Sequence, residues 1–134
     1  TLPPGRPDPQ VELDPTKPIH IMLIDLGLAT IFRPGGVSDG HVRGSPATMA
    51  PEVWRCIETP AADIFSYGAT LFFLLTGNYP FQVPVGDLCD SIDYWNCHPK
   101  HAPYTAGSMY SNSAYNFCDK LLAIRRQKRP TVAQ

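Results

Sequence analysis

Between Asp63 and Gly77 the chain runs through Ile64, Phe65, Tyr67, Ala69, Leu71, Phe72, Phe73, Leu74 and Leu75 with no proline and no charge. Such a stretch reads as a helix, with Asp63 as its expected N-cap and Gly77 as its C-cap. Its apolar positions fall on all sides instead of along one stripe, and a helix apolar all round is expected to be buried all round. The rest of the chain must therefore wrap this element. A membrane span is excluded as its purpose, because the run Ala69 to Leu75, already broken by Thr70, is far shorter than the roughly 20 residues a bilayer requires.

The wrapping material is present. Of 134 residues, 43% are hydrophobic and 17% charged, which suits a packed core and not a disordered tail. Eleven Lys and Arg against 12 Asp and Glu give a formal charge of -1. No global field recruits nucleic acid or an anionic membrane, so neither is expected as a partner. Cys56, Cys89, Cys97 and Cys118 are irregularly spaced without a C-x-x-C pair, which points to a reducing, cytoplasmic setting and to no zinc ribbon. The sequence Cys97-His98-Pro99-Lys100-His101 gathers three soft ligands, but it reads first as a proline-held turn, since structural zinc draws four ligands from two segments.

Proline and glycine divide the chain. Pro3, Pro4, Pro7, Pro9, Pro15 and Pro18 mark residues 1–18 as a Pro-rich loop or insertion, because each removes a backbone donor. Ile19, Ile21, Met22, Leu23 and Ile24 then read as a short β-strand that presents an acid at Asp25-Leu26-Gly27. Residues 33–46 carry Pro34, Gly35, Gly36, Gly40, Gly44 and Pro46 and are expected to be irregular. Further helices are expected from Glu52 to about Ile57 behind Pro51, from Asp87 to about Trp95, and from Ala114 to Arg126. The fold class is mainly α.

In order along the chain, Asp25-Leu26-Gly27, Gly44-Ser45-Pro46, Ala50-Pro51-Glu52, Asp63-Ile64-Phe65-Ser66-Tyr67-Gly68 and Lys128-Arg129-Pro130 resemble the second half of a eukaryotic protein kinase catalytic domain, serine/threonine type. Each short motif alone would be a chance match; their shared order makes the resemblance specific. It covers residues 19–134 as a partial domain of activation segment and large-lobe helices.

The resemblance implies a role for each matched residue. Asp25 would hold Mg2+ against the phosphates of ATP, with Gly27 completing the turn, although an Asp after a strand can also simply begin a turn. Gly44 and Ser45 would form the docking loop for a protein substrate, with Thr48 standing where a tyrosine is customary. Ala50 and Pro51 lead to Glu52, which would form a buried ion pair with Arg129; the alternative is a solvated Glu52 and one member of a basic cluster with Arg125, Arg126 and Lys128. Asp63 would steady the catalytic loop as well as cap its helix, and Gly68 would belong to the helix packing. Leu26 and Phe65 replace a usual Phe and Trp.

No G-x-G-x-x-G loop, V-A-I-K lysine or H-R-D-x-x-x-x-N catalytic loop occurs in the sequence. Phosphoryl transfer needs all of these parts. The expectation is a kinase fragment, inactive alone and lacking its N-lobe and catalytic-loop segments, from a parent that is either an active transferase or a pseudokinase serving as a binding module. Left without those segments, the central helix is expected to expose Phe72, Phe73 or Leu74. A regulatory phosphate is expected at Ser38 beside Asp39, or at Thr30, facing Arg33 or Arg43.

Overall fold

The computed structural model describes residues 16–18, 20, 22–34, 40–97, 99–104 and 110–133. Most of the Pro-rich segment 1–18, together with Ile19, Ile21, Ser38, Asp39 and His98, lies outside the described residues. Three α-helices carry the architecture: α1, Pro60–Thr76; α2, Leu88–Asn96; and α3, Asn112–Leu121. Single 3-10 turns occupy Leu26–Leu28, Val53–Arg55 and Arg126–Lys128.

Helix α1 begins one turn earlier than expected. Thr59, with extended backbone, is its N-cap residue and Pro60 opens it, so Asp63 sits inside the first turn instead of capping it. Proline at the first helical position needs no donor and has the right φ already; the acid still faces the positive end of the helix. Gly77 closes the helix at φ 74°, its N–H reaching the Phe73 carbonyl at 2.7 Å. That left-handed angle is what a glycine tolerates without strain.

Burial of α1 is one-sided. Ala62, Phe65, Gly68, Ala69 and Phe72 are buried; of the three side chains expected to be candidates for exposure, Phe72 is fully enclosed at 0% while the other two are open. Along the opposite face Asp63, Tyr67, Thr70, Phe73 and Leu74 follow one another at helical spacing and are exposed; Phe73 is 41% and Leu74 68% open to solvent. All-round apolarity thus exceeds what the described residues cover.

The covered face meets three layers. Phe65 stacks on Phe81 and takes Trp95 of α2 edge-on, with centroids 5.8 and 5.9 Å apart. Phe72 packs against His101 and Tyr104. Gly68 lets α3 approach so closely that an added Cβ would lie 2.7 Å from Leu121 Cβ. Met49, Ala50, Val53 and Trp54 complete the core beside the start of α1.

Three further expectations change, and one holds to within a residue. No strand occurs among the described residues; 20 and 22–24 are exposed and have no ladder partner, without which a strand has no hydrogen bonds to form. The segment 52–57 tightens to a 3-10 turn ended by Cys56 at φ 57°. The helix 87–95 lies at Leu88–Asn96 with Asp87 as its cap, its carboxylate accepting from the Cys89 N–H. The last helix starts at Asn112, capped by the Ser111 side chain, and stops at Leu121. It does not reach Arg126 because the carbonyls of Ala123 and Ile124 turn inward to Arg129. No helix among the described residues is long and apolar enough to cross a membrane.

Candidate functional site

Asp25 stands in the left-handed region at φ 59°, ψ 69°. Few residues other than glycine enter that region, and Asp does so because its short side chain can bond locally. Here Oδ1 accepts the Gly27 N–H at 3.4 Å. A Cβ at Gly27 would press on that oxygen at 3.3 Å, so the glycine protects the turn. The carboxylate is exposed, and no other partner for it is found among the described residues. One hard oxygen donor of this kind fits a magnesium ion that takes its remaining ligands from phosphates and water. Among the described residues no group of three His, Cys, Asp or Glu side chains gathers to hold a metal by itself.

The segment after the irregular stretch folds on itself. Gly44 has φ 126°, accessible to glycine alone. The Ser45 carbonyl accepts from the backbone N–H groups of Thr48 and Met49, both at 3.0 Å, and from the Thr48 hydroxyl at 3.3 Å. Ser66 on α1 then donates to the Thr48 carbonyl at 2.9 Å and pins this turn to the helix. Between turn and helix lies a cleft of about 850 Å³ lined by Ile31, Arg43, Ser45, Thr48, Asp63 and Ser66, among others. Gly44, Ser45, Thr48, Ala50 and Asp63 therefore converge on one concavity. Asp25 and Gly27 stand outside its lining.

Glu52 and Arg129 meet in the interior. Arg129 Nη1 donates to Glu52 Oε1 at 2.6 Å and Nη2 to Oε2 at 2.9 Å. The remaining guanidinium donors reach the carbonyls of Ala61 (2.8 Å), Ala123 (2.8 Å) and Ile124 (3.2 Å). Arginine has five N–H donors, and all are spent. The cation also lies 4.9 Å from the Phe65 ring centroid. One side chain thereby joins Glu52, the first turn of α1 and the segment after α3. Pro51 and Ala50, which precede the acid, are buried with it.

Sequence reasoning overlooked Ser66, whose hydroxyl looks like ordinary helix surface until its acceptor is known. It also missed a polar knot beside Phe72 on the covered face of α1. Tyr104 donates its hydroxyl toward Asp119 and the Tyr115 carbonyl, and His101 Nε2 lies 3.1 Å from the same Asp119. Burial, then the bond to Asp119, pushes the Tyr104 phenol far up from its ordinary value. Burial likewise raises the Cys118 thiol. All four cysteines are free.

A profile described as "Protein kinase domain" matches residues 13–134. Calcium-dependent protein kinase 1 of Arabidopsis thaliana is 36% identical over 121 residues, covering 83% of this chain and 18% of the relative. Calcium-dependent protein kinase 7 of Oryza sativa is 40% identical over 76 residues, 57% of this chain and 14% of its own length. Serine/threonine-protein kinase PknK of Mycobacterium bovis is 42% identical over 66 residues, 48% of this chain and 6% of its own. The chain thus spans less than a fifth of the length of each of these relatives.

Proposed function

This chain belongs to the protein kinase family, and on that premise we propose that the intact protein transfers the γ-phosphate of ATP to serine or threonine hydroxyls of protein substrates. The observation that carries the reading is Asp25, a non-glycine acid held in a left-handed turn with its carboxylate open to solvent. Backbone strain of this sort costs about 1–3 kcal/mol and persists where function uses it. Asp25 would hold Mg2+, whose positive charge would offset the negative charge that develops on the transferred phosphoryl group. Asp25 would supply one hard ligand, Gly27 the room for it. The Gly44–Thr48 turn, pinned by Ser66 and closed behind by Glu52 and Arg129, would form the shelf on which the substrate chain rests.

The 134 residues alone are inactive in this reading, since they hold no phosphate-clamping glycine loop, no nucleotide lysine and no catalytic aspartate of the H-R-D type. A second reading, a pseudokinase that binds partners without chemistry, draws support from the Thr48 hydroxyl, which folds back onto the Ser45 carbonyl and leaves a small side chain on the shelf.

The test is Asp25→Asn in the intact protein. Asparagine tolerates the left-handed turn but carries no charge, so the thermal melt should hold while Mg2+-dependent phosphorylation of a protein substrate falls by about a hundredfold or more. Undiminished transfer would remove Asp25 from the reaction. An intact wild-type protein that never phosphorylates a substrate under any divalent ion would establish the pseudokinase.

A further inference from the structure

A second concavity of about 300 Å³ opens where the end of the 3-10 turn Val53–Arg55, the end of α2 and the segment after α3 meet. Its floor is apolar, from Ile57, Trp95 and Ile124, and its rim carries Arg55, Arg125 and Arg126. The one carboxylate in its wall, Glu52, is committed in both oxygens to Arg129. Arg125 and Arg126 meet no carboxylate among the described residues. Arg55 donates to the neutral Asn96 side chain, whose own amide reaches Asp93 at 3.4 Å. Three guanidinium charges therefore crowd a small groove in a chain whose formal net charge is -1.

Trp95 adds an independent mark. It is 2% exposed, and its indole N–H has no acceptor among the described residues. Buried donors are nearly always satisfied, and an unsatisfied one calls for an explanation. A groove with an apolar floor and a cationic rim, built over a tryptophan whose donor is still unspent, is shaped for a short peptide that alternates apolar and acidic side chains. Guanidinium forks match carboxylates in two-bond geometry. About 300 Å³ is the lower end of ligand-site volumes and seats one or two side chains, too little for a nucleic-acid duplex.

We propose that this groove docks an acidic segment of a partner protein, with Arg55, Arg125 and Arg126 holding its carboxylates and Ile57, Trp95 and Ile124 receiving an adjacent apolar side chain. The site is separate from the cleft beside Asp63 and Ser66 and needs no phosphoryl transfer to operate.

The experiment measures fluorescence anisotropy of a labelled Glu/Leu peptide with the intact protein, beside the same peptide with every Glu replaced by Gln. The acidic peptide should bind and the Gln peptide should bind about tenfold or more weakly, with the difference shrinking as salt rises. Arg125→Gln with Arg126→Gln should weaken the acidic peptide by about tenfold. Should the double variant melt early, Arg125→Gln alone, at an exposed position, should still weaken it severalfold. Equal binding of both peptides, or full affinity in a folded Arg variant, overturns the proposal. Binding to phosphatidylserine vesicles that needs these arginines, with no binding of the acidic peptide, overturns it as well. Asp25→Asn should leave peptide affinity unchanged, so loss of this proposal and loss of the kinase reading are separable.

Discussion

Replacing Arg129 by Lys keeps the charge and discards the fork. Three rotatable ammonium donors cannot serve a two-toothed carboxylate and three carbonyls at once, and Glu52 would keep a desolvated charge without its full complement. Breaking a buried pair in this way costs about 3–5 kcal/mol. Urea unfolding of Arg129→Lys should show a loss of that order, with Glu52→Gln close behind; a loss below about 1 kcal/mol would class the pair with solvated surface bridges. A pH effect belongs to this scale too. The folded-state Tyr104 phenol is raised by burial and by Asp119, so its contribution to stability is complete below the unfolded value of about 10 and fades as pH climbs above it. Unfolding midpoints measured from pH 9 to 11 should fall in the parent and fall less in Tyr104→Phe, which has no proton to lose. Equal slopes would deny Tyr104 the role.

At the scale of elements the contact between α1 and α3 depends on the missing side chain of Gly68. Gly68→Ala would improve helix propensity, yet its methyl would collide with Leu121 Cβ at 2.7 Å and with the Leu121 carbonyl carbon at 3.2 Å. Overpacking against a backbone costs about 1–3 kcal/mol. Denaturation should register that loss while far-UV circular dichroism keeps its helical signal, and a neutral or stabilised variant would mean that α3 is free to slide. The same helices show what a sequence can and cannot disclose. The existence of α1 and its end at Gly77 were legible because an uninterrupted apolar run and a left-handed glycine are local signals. Its start was misplaced: Asp63 has the chemistry of an N-cap, but Pro60 opens the helix a turn earlier and leaves the acid inside the first turn. The end of α3 was not legible at all: nothing near Leu121 breaks a helix, and the carbonyls beyond it turn away because Arg129 needs them. In the cleft, Ser45, Thr48 and Asp63 could be named from their order in the chain, whereas Ser66 gained its role only from an acceptor 18 residues away.

Taken whole, the molecule presents more apolar surface than its described core consumes. Met22, Leu23, Ile24, Leu26, Leu28, Ile31 and Phe32 are each at least half exposed, and Tyr67, Phe73 and Leu74 open on the outer face of α1. The largest apolar patch on a soluble monomer is usually about 300–600 Å². The 134-residue chain expressed by itself should bind an apolar dye and self-associate. A monomeric mass, a sharp melt and no dye signal together would show that this surface is covered by the chain itself.

The clasp between Glu52 and Arg129 joins residues 77 positions apart, and a chain is made in one direction. At about 5–20 residues per second, on the order of 4 to 15 s separates the synthesis of the acid from that of the cation that receives it. During that interval the carboxylate has no reason to leave water, and the wall behind the cleft stays ajar. Closure of the turn beside the cleft is thereby timed by the arrival of Arg129, so this part of the fold cannot be completed until the chain has been made at least that far.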